Sequence, residues 1–233
     1  MTHMVFGYPD FETAQKVFGI LSKKSEYVEI QFPFSDPIAD GPTIEHANKI
    51  ALENGSTTDK CFDFVMKNTW KNTKVLIMTY YNIVLNYWVE KFIEKAKQIW
   101  VYGVIIPDVP FDEEDGKKLR EICKKYDIVF TEIVSPATKQ ERLIQISKLN
   151  PWLLYAISQN MTTWSKATFD ESFQNYIKKL KSIFSCPIWV GFWVKTKQDV
   201  EKVLEVADFA IIWSEILKNF NAKWIEGIKK ILK

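Results

Sequence analysis

Short β-branched runs alternate with amphipathic helical stretches along the whole chain, and that alternation leaves few architectures open. The strand candidates are His3–Phe6, Tyr27–Phe32, Val75–Tyr80, Val104–Ile106, Ile128–Ile133, Leu153–Ile157, Ile188–Val190 and Phe209–Ile212. Between them lie segments with apolar residues at helical spacing, such as Phe11–Ser22, Thr43–Glu53, Val89–Gln98 and Glu113–Tyr126. In Lys139–Lys148 the apolar positions Leu143 and Ile146 continue to Leu149, with Lys and Gln filling the gaps. Strands that alternate with helices pair in parallel, because each crossover returns the chain to the same edge. Eight such units in 233 residues favour an α/β fold of the (β/α)8 barrel type over an open doubly wound sheet. Neither GxGxxG nor GxxxxGK[ST] occurs to support a nucleotide fold. No low-complexity linker divides the chain, so residues 1–233 are expected to form a single barrel domain.

Composition narrows the functional classes. The 31 basic and 29 acidic residues nearly cancel, which leaves no electrostatic footprint for nucleic acid. No apolar run approaches a membrane span, and the N-terminal stretch lacks the basic and apolar regions of a signal peptide. A cytoplasmic protein is expected. The cysteines Cys61, Cys123 and Cys186 are scattered, and the two histidines, His3 and His46, join no cluster with ligand spacing. No metal site is expected.

The chemistry concentrates in Glu29-Ile-Gln-Phe-Pro-Phe-Ser-Asp-Pro-Ile-Ala-Asp-Gly-Pro-Thr43. Glu29 sits inside an apolar strand, and a turn-rich loop carrying Asp36 and Asp40 follows before a helix begins. In a barrel the working face lies at the C-terminal strand ends. Glu29, Asp40, Tyr80, Asp108 and Tyr155 all fall near such ends. Two acids there can flank one small molecule; turn chemistry by itself favours the plainer reading of a satisfied buried Glu and turn or cap aspartates.

This run closely resembles the signature of the tryptophan synthase alpha subunit family. The resemblance extends through Phe-Gly-Tyr-Pro-Asp10, Met-Thr-Tyr-Tyr-Asn82, Tyr-Gly-Val-Ile-Ile-Pro-Asp-Val-Pro110, Tyr-Ala-Ile-Ser158 with Thr-Thr163, Val-Gly-Phe192 and Ser214, in family order. It implies a lyase of tryptophan biosynthesis that cleaves indole-3-glycerol phosphate to indole and glyceraldehyde 3-phosphate. Glu29 would then be general acid and base, and Asp40 would accept the indole N–H. Tyr80, Tyr155, Met78, Ile105 and Ile133 would line the indole and glycerol site, although each apolar member reads equally as barrel core. Thr163, Trp164, Gly191, Phe192, Trp193, Trp213 and Ser214 would correspond to the phosphate site. Asp36, Asn82, Asn86 and Pro110 would face a beta subunit in an alpha2beta2 heterotetramer. The resemblance implies no cofactor on this subunit, with pyridoxal phosphate confined to the beta partner.

The departures from the family follow one rule. The chain has 9 Trp and 8 Gly, and Trp88, Trp100, Trp152, Trp164, Trp193 and Trp213 align with family glycines or glycine-like turns. Trp70, Trp189 and Trp224 align less firmly. Side chains at 164, 193 and 213 would obstruct the approach of backbone N–H groups to phosphate. One account is a genetic code in which UGA specifies glycine; the competing account is a polypeptide that truly carries tryptophan. Gln31 and Met161 also stand at family glycines, and no reading of UGA explains them. The alternatives to an active lyase are a catalytically impaired alpha subunit serving mainly as structural and allosteric partner of the beta subunit, and another phosphate-binding barrel of amino-acid biosynthesis.

Overall fold

The computed structural model describes residues 1–69, 73–157, 171–191, 194, 196–213 and 216. Its strands are β1 (Thr2–Val5), β2 (Tyr27–Gln31), β3 (Lys74–Met78), β4 (Gly103–Ile105), β5 (Val129–Phe130), β6 (Glu132–Val134), β7 (Leu154–Ile157), β8 (Ile188–Gly191) and β9 (Phe209–Ala210). Every pairing is parallel, in the orders β1-β2-β3-β4-β5 and β6-β7-β8-β9. The two runs close at a short seam, where Thr2 bridges Ile212 in parallel. The His3 N–H donates to the Ile212 carbonyl at 3.1 Å, and the Ile212 N–H donates to that of Met1 at 3.0 Å. The expected strand Ile128–Ile133 is interrupted at Thr131, whose N–H nonetheless keeps the ladder by donating to Val104 O at 3.1 Å. Counted as one strand, β5 and β6 make this the eight-stranded parallel barrel, and the fold is a (β/α)8 barrel.

The helices are α1 (Phe11–Lys24), α2 (Pro42–Glu53), α3 (Thr58–Asn68), α4 (Tyr81–Asn86), α5 (Val89–Gln98), α6 (Glu114–Lys125), α7 (Gln140–Ser147), α8 (Glu171–Ile183) and α9 (Lys197–Leu204). Helix α1 shows how they form. Asp10 caps it by accepting the Thr13 N–H at 2.8 Å, and Ala14, Val17, Phe18 and Leu21 recur at helical spacing to face the barrel. All four are fully buried, and burial of Phe18 or Leu21 is worth roughly 1.5–3 kcal/mol each relative to exposure. Helix α9 starts with a reciprocal cap between Thr196 and Asp199.

Several strand ends shift by one or two residues from the sequence expectation, and one shift shapes the site. Strand β3 ends at Met78 rather than Tyr80, and Tyr80 instead opens the short helix α4. Both carboxylate oxygens of Asp108 accept the first N–H of that helix, from Tyr81, at 2.9 and 3.1 Å. A contact across 27 residues therefore caps α4, which the local sequence does not announce. At the opposite, N-terminal end an aromatic floor closes the barrel. The Tyr27 ring meets Trp189 at 4.5 Å, Tyr102 at 5.4 Å and Phe209 at 5.4 Å, with the Lys74 ammonium over Tyr27 at 4.9 Å.

Among the described residues, six take positive φ. Gly7 and Gly55 do so freely, and Asp127 and Asn150 are of types that tolerate it. The other two are Trp88 (φ 69°) and Trp100 (φ 64°), which stand 72% and 80% exposed. The left-handed region costs an L-residue roughly 1–2 kcal/mol, and neither exposed indole gains burial to offset it. Trp189 differs, because it is buried in the aromatic floor. Replacing Trp88 or Trp100 by glycine is expected to stabilise the protein by about 0.5–1 kcal/mol per site, after glycine's greater unfolded-chain entropy is deducted. Urea midpoints measure this; a lower midpoint at both sites would mean that these backbones do not favour glycine.

Candidate active site

Glu29 lies in the middle of β2, in register with His3 on β1 and Leu76 on β3. Its side chain is wholly buried, as is that of His3. Glu29 Oε1 sits 3.0 Å from His3 Nδ1 and accepts the Trp213 indole N–H, also at 3.0 Å. The Trp213 ring stands edge-on to the imidazole, with centroids 4.8 Å apart. Trp213 was expected at the phosphate end of the pocket. Its indole instead reaches into the barrel interior and contacts the acid.

One layer higher, Gln31 is in register with Val5 and Met78, and Met78 with Ile105. Met78 and Ile105 are buried beside it. The Gln31 amide donates to Asp40 Oδ2 at 2.6 Å, and the Asn48 amide on α2 donates to the same oxygen at 3.3 Å. Asn48 Oδ1 accepts the Phe34 N–H at 3.0 Å, which ties the loop carrying Asp40 to α2. The Tyr80 hydroxyl accepts the Ala39 N–H at 3.1 Å while its ring stacks on Phe34. Asp40 is half-exposed as a residue, yet its carboxyl points inward. Burial pushes that carboxyl up to about 6, against the Gln31 hydrogen bond, which favours the anion.

Tyr155 on β7 is buried, and burial followed by the charge of Glu29 holds its hydroxyl well above the ordinary phenol range. It remains a neutral hydroxyl at working pH. A Cβ on Gly191 would lie 2.2 Å from the Tyr155 oxygen, so only glycine lets β8 accommodate that ring. Buried polar atoms without a partner recur on these linked residues: His3 Nε2, Glu29 Oε2, Gln31 Oε1, Asp40 Oδ1 and the Tyr155 hydroxyl. Most buried polar atoms in native folds are paired, so such a gathering marks a place built for a polar ligand.

The remaining expectations separate. Ile133 lines a neighbouring cleft of about 230 Å³ with Pro107, Asp108, Pro110, Thr131 and Arg142; neither Glu29 nor Asp40 lines it. Asp36, Asn82 and Asn86 are exposed, Pro110 is half-buried, and exposed Ile38 and Leu85 lie beside them in sequence. Thr163, Trp164, Phe192, Trp193 and Ser214 lie outside the described residues, as do Trp70 and Trp224. Sequence reasoning gave no role to His3, Asn48 or the Gln31 amide. The signal for His3 was available, since an imidazole on a buried strand next to that of Glu29 needs a partner. Among the described residues no cluster of His, Cys, Asp and Glu could hold a metal ion, and no helix is long and apolar enough to cross a membrane.

The raised Asp40 carboxyl has a consequence for stability. An unfolded aspartate titrates near about 3.9, so folding disfavours the anion and stability falls as the pH rises from about 4 through about 6. Asp40→Asn keeps an acceptor for Gln31 and removes the charge. It is expected to be more stable than the parent at pH 7.5, by on the order of 1–2 kcal/mol after discounting for partial exposure, and no more stable near pH 4. Urea denaturation at both pH values checks this; an advantage independent of pH would rule out the charge as its source.

The family model for the tryptophan synthase alpha chain matches residues 1–232. The tryptophan synthase alpha chain of Desulfotalea psychrophila is 34% identical over 220 residues, covering 94% of this chain and 86% of that protein. That of Methanocaldococcus jannaschii is 36% identical over 216 residues, covering 92% of this chain and 76% of the relative. Among solved structures, tryptophan synthase subunit alpha from Campylobacter jejuni superposes with a TM-score of 0.87 at 30% identity, covering 99% of this chain and 92% of that one. A chain of the tryptophan synthase complex from Pyrococcus furiosus gives 0.87 at 26% identity, covering 99% and 94%. With the family model spanning almost the whole sequence and such relatives covering more than nine-tenths of it, this chain belongs to the tryptophan synthase alpha chain family.

Proposed function

We propose that Glu29 and Asp40 carry out the family's lyase reaction, the retro-aldol cleavage of indole-3-glycerol phosphate. The observation behind this reading is the pair of buried, unpartnered oxygens, Glu29 Oε2 in β2 and Asp40 Oδ1 in the loop that follows it. Cleavage requires a proton on indole C3 and loss of the proton from the side-chain hydroxyl next to it. The C–C electron pair then returns to the ring, leaving indole and an aldehyde. Glu29 Oε2 supplies and receives these protons in turn. Asp40, once ionised above about pH 6, accepts the indole N–H and stabilises the positive charge that builds on the ring. Tyr80 and Tyr155 shape the site, Met78 and Ile105 flank the ring, and Ile133 borders it. Backbone N–H groups around Gly191, Ser214 and the segment bearing Thr163 hold the phosphate when glycine stands at 164, 193 and 213.

The remainder of the reading follows the family. The whole chain, residues 1–233, acts as one barrel domain in the cytoplasm. Asp36, Asn82, Asn86 and Pro110 meet a beta subunit in an alpha2beta2 assembly, and pyridoxal phosphate resides on that partner alone.

A second reading, an alpha subunit impaired in catalysis, is favoured by one observation. In the chain as written, the Trp213 N–H bonds Glu29 Oε1 at 3.0 Å, so a side-chain indole stands against the acid that the substrate indole must reach. Intact mass of protein from the native host decides whether tryptophan or glycine is present at the positions in question.

Turnover separates the two readings. The chain with glycine at 164, 193 and 213 is expected to cleave indole-3-glycerol phosphate at least about 100-fold faster than the chain as written, and Glu29→Gln in that background to remove about 100-fold or more. Equal turnover of the two chains would discard the occluded reading. Intact turnover in Glu29→Gln, with substrate still bound, would discard Glu29 as the acid–base group.

A further inference from the structure

His3 takes no part in the chemistry above, yet it is placed against the acid. We propose that His3 is a positioning residue that divides the two oxygens of Glu29 between separate tasks; this rests on the reading of Glu29 as the acid–base group. The backbone of His3 is fixed at the barrel seam by its N–H bond to Ile212 O, and strand register sets its side chain beside that of Glu29. With Glu29 ionised, the 3.0 Å contact requires Nδ1 to carry the hydrogen and donate it to Oε1. A donating Nδ1–H pins one carboxylate oxygen, Oε1. The other, Oε2, is buried without a partner and remains free to exchange a proton with substrate.

Packing alone does not account for an imidazole at this position. Both side chains are 0% exposed, and His3 Nε2 is left without a partner. An apolar ring would fill the same volume without leaving a buried polar atom unpaired, a defect that costs about 1–3 kcal/mol. The polar edge is useful only through what Nδ1 does to Glu29. The other titratable groups facing this pair are the Met1 ammonium, Asp40 and Tyr155. The ammonium donates to Ala210 O at 2.8 Å, and none of the three bonds Nδ1.

The test compares His3→Phe with His3→Asn, which keeps an N–H donor near the Nδ1 position, in the full chain as written and with glycine at 164, 193 and 213. His3→Phe is expected to lower kcat by about tenfold or more with KM within about twofold, the pattern of an interaction that matters to the chemical step and not to binding. His3→Asn is expected to recover most of that loss. An unchanged kcat in His3→Phe, alongside inactive Glu29→Gln, overturns the positioning role and leaves the role of Glu29 standing; an active Glu29→Gln overturns the latter instead. A readout that needs neither substitution nor turnover is ¹⁵N NMR of the unmodified chain, which holds two histidines, with exposed His46 as internal reference. His3 is expected as the Nδ1–H tautomer, and an Nε2–H tautomer overturns the proposal even if every variant fails to fold.

Discussion

The site depends on the seam where Thr2 pairs with Ile212 and the barrel becomes a closed ring. Without that pairing, β1 and β9 would be the edges of an open sheet, and an edge exposes unpaired backbone to water or to other chains. With it, residues 184 positions apart come into contact, and Trp213 and His3 arrive at the same oxygen of Glu29. The seam is short, a single bridge and its flanking hydrogen bonds, yet it sets which side chains surround the acid. A loss of pairing there would separate the groups around Glu29 while leaving the β2–β3 pairing that carries it untouched.

Much of the architecture was legible because parallel strands buried on both faces read as unbroken apolar runs, and the helices between them show a periodic face. The acids were legible too, since a Glu inside such a run and an Asp in the following loop can be seen in one short stretch. Three features were not. The break at Thr131 escapes notice because a β-branched threonine looks like any other strand residue. Helix α4 escapes because Asp108, far along the chain, supplies the acceptor for its first N–H. The amide of Gln31 on Asp40 escapes because Gln31 stands out only as a departure from a family glycine, not as a donor placed over a carboxylate.

The tryptophans divide along physical lines rather than forming one class. Trp88 and Trp100 hold a backbone conformation that suits glycine and leave their rings largely in water, with only the Lys91 ammonium over Trp88 at 5.8 Å. Trp152 is likewise exposed, in the turn before β7. Trp189 packs against the Tyr27 and Phe209 rings, and Trp213 bonds a buried carboxylate. Glycine at the first group would relieve the backbone; glycine at Trp189 would open a void in the floor, and at Trp213 it would clear the space beside Glu29. A uniform replacement would thus act on the fold in opposite directions at different places.

The aromatic floor has a consequence for traffic. Among the described residues, Tyr27, Tyr102, Trp189 and Phe209 pack across the N-terminal end, opposite the loops bearing Asp36, Asn82 and Asn86. A small molecule that reaches Glu29 from the loop end would leave by the same end. Whatever docked over those loops would then stand across both paths at once.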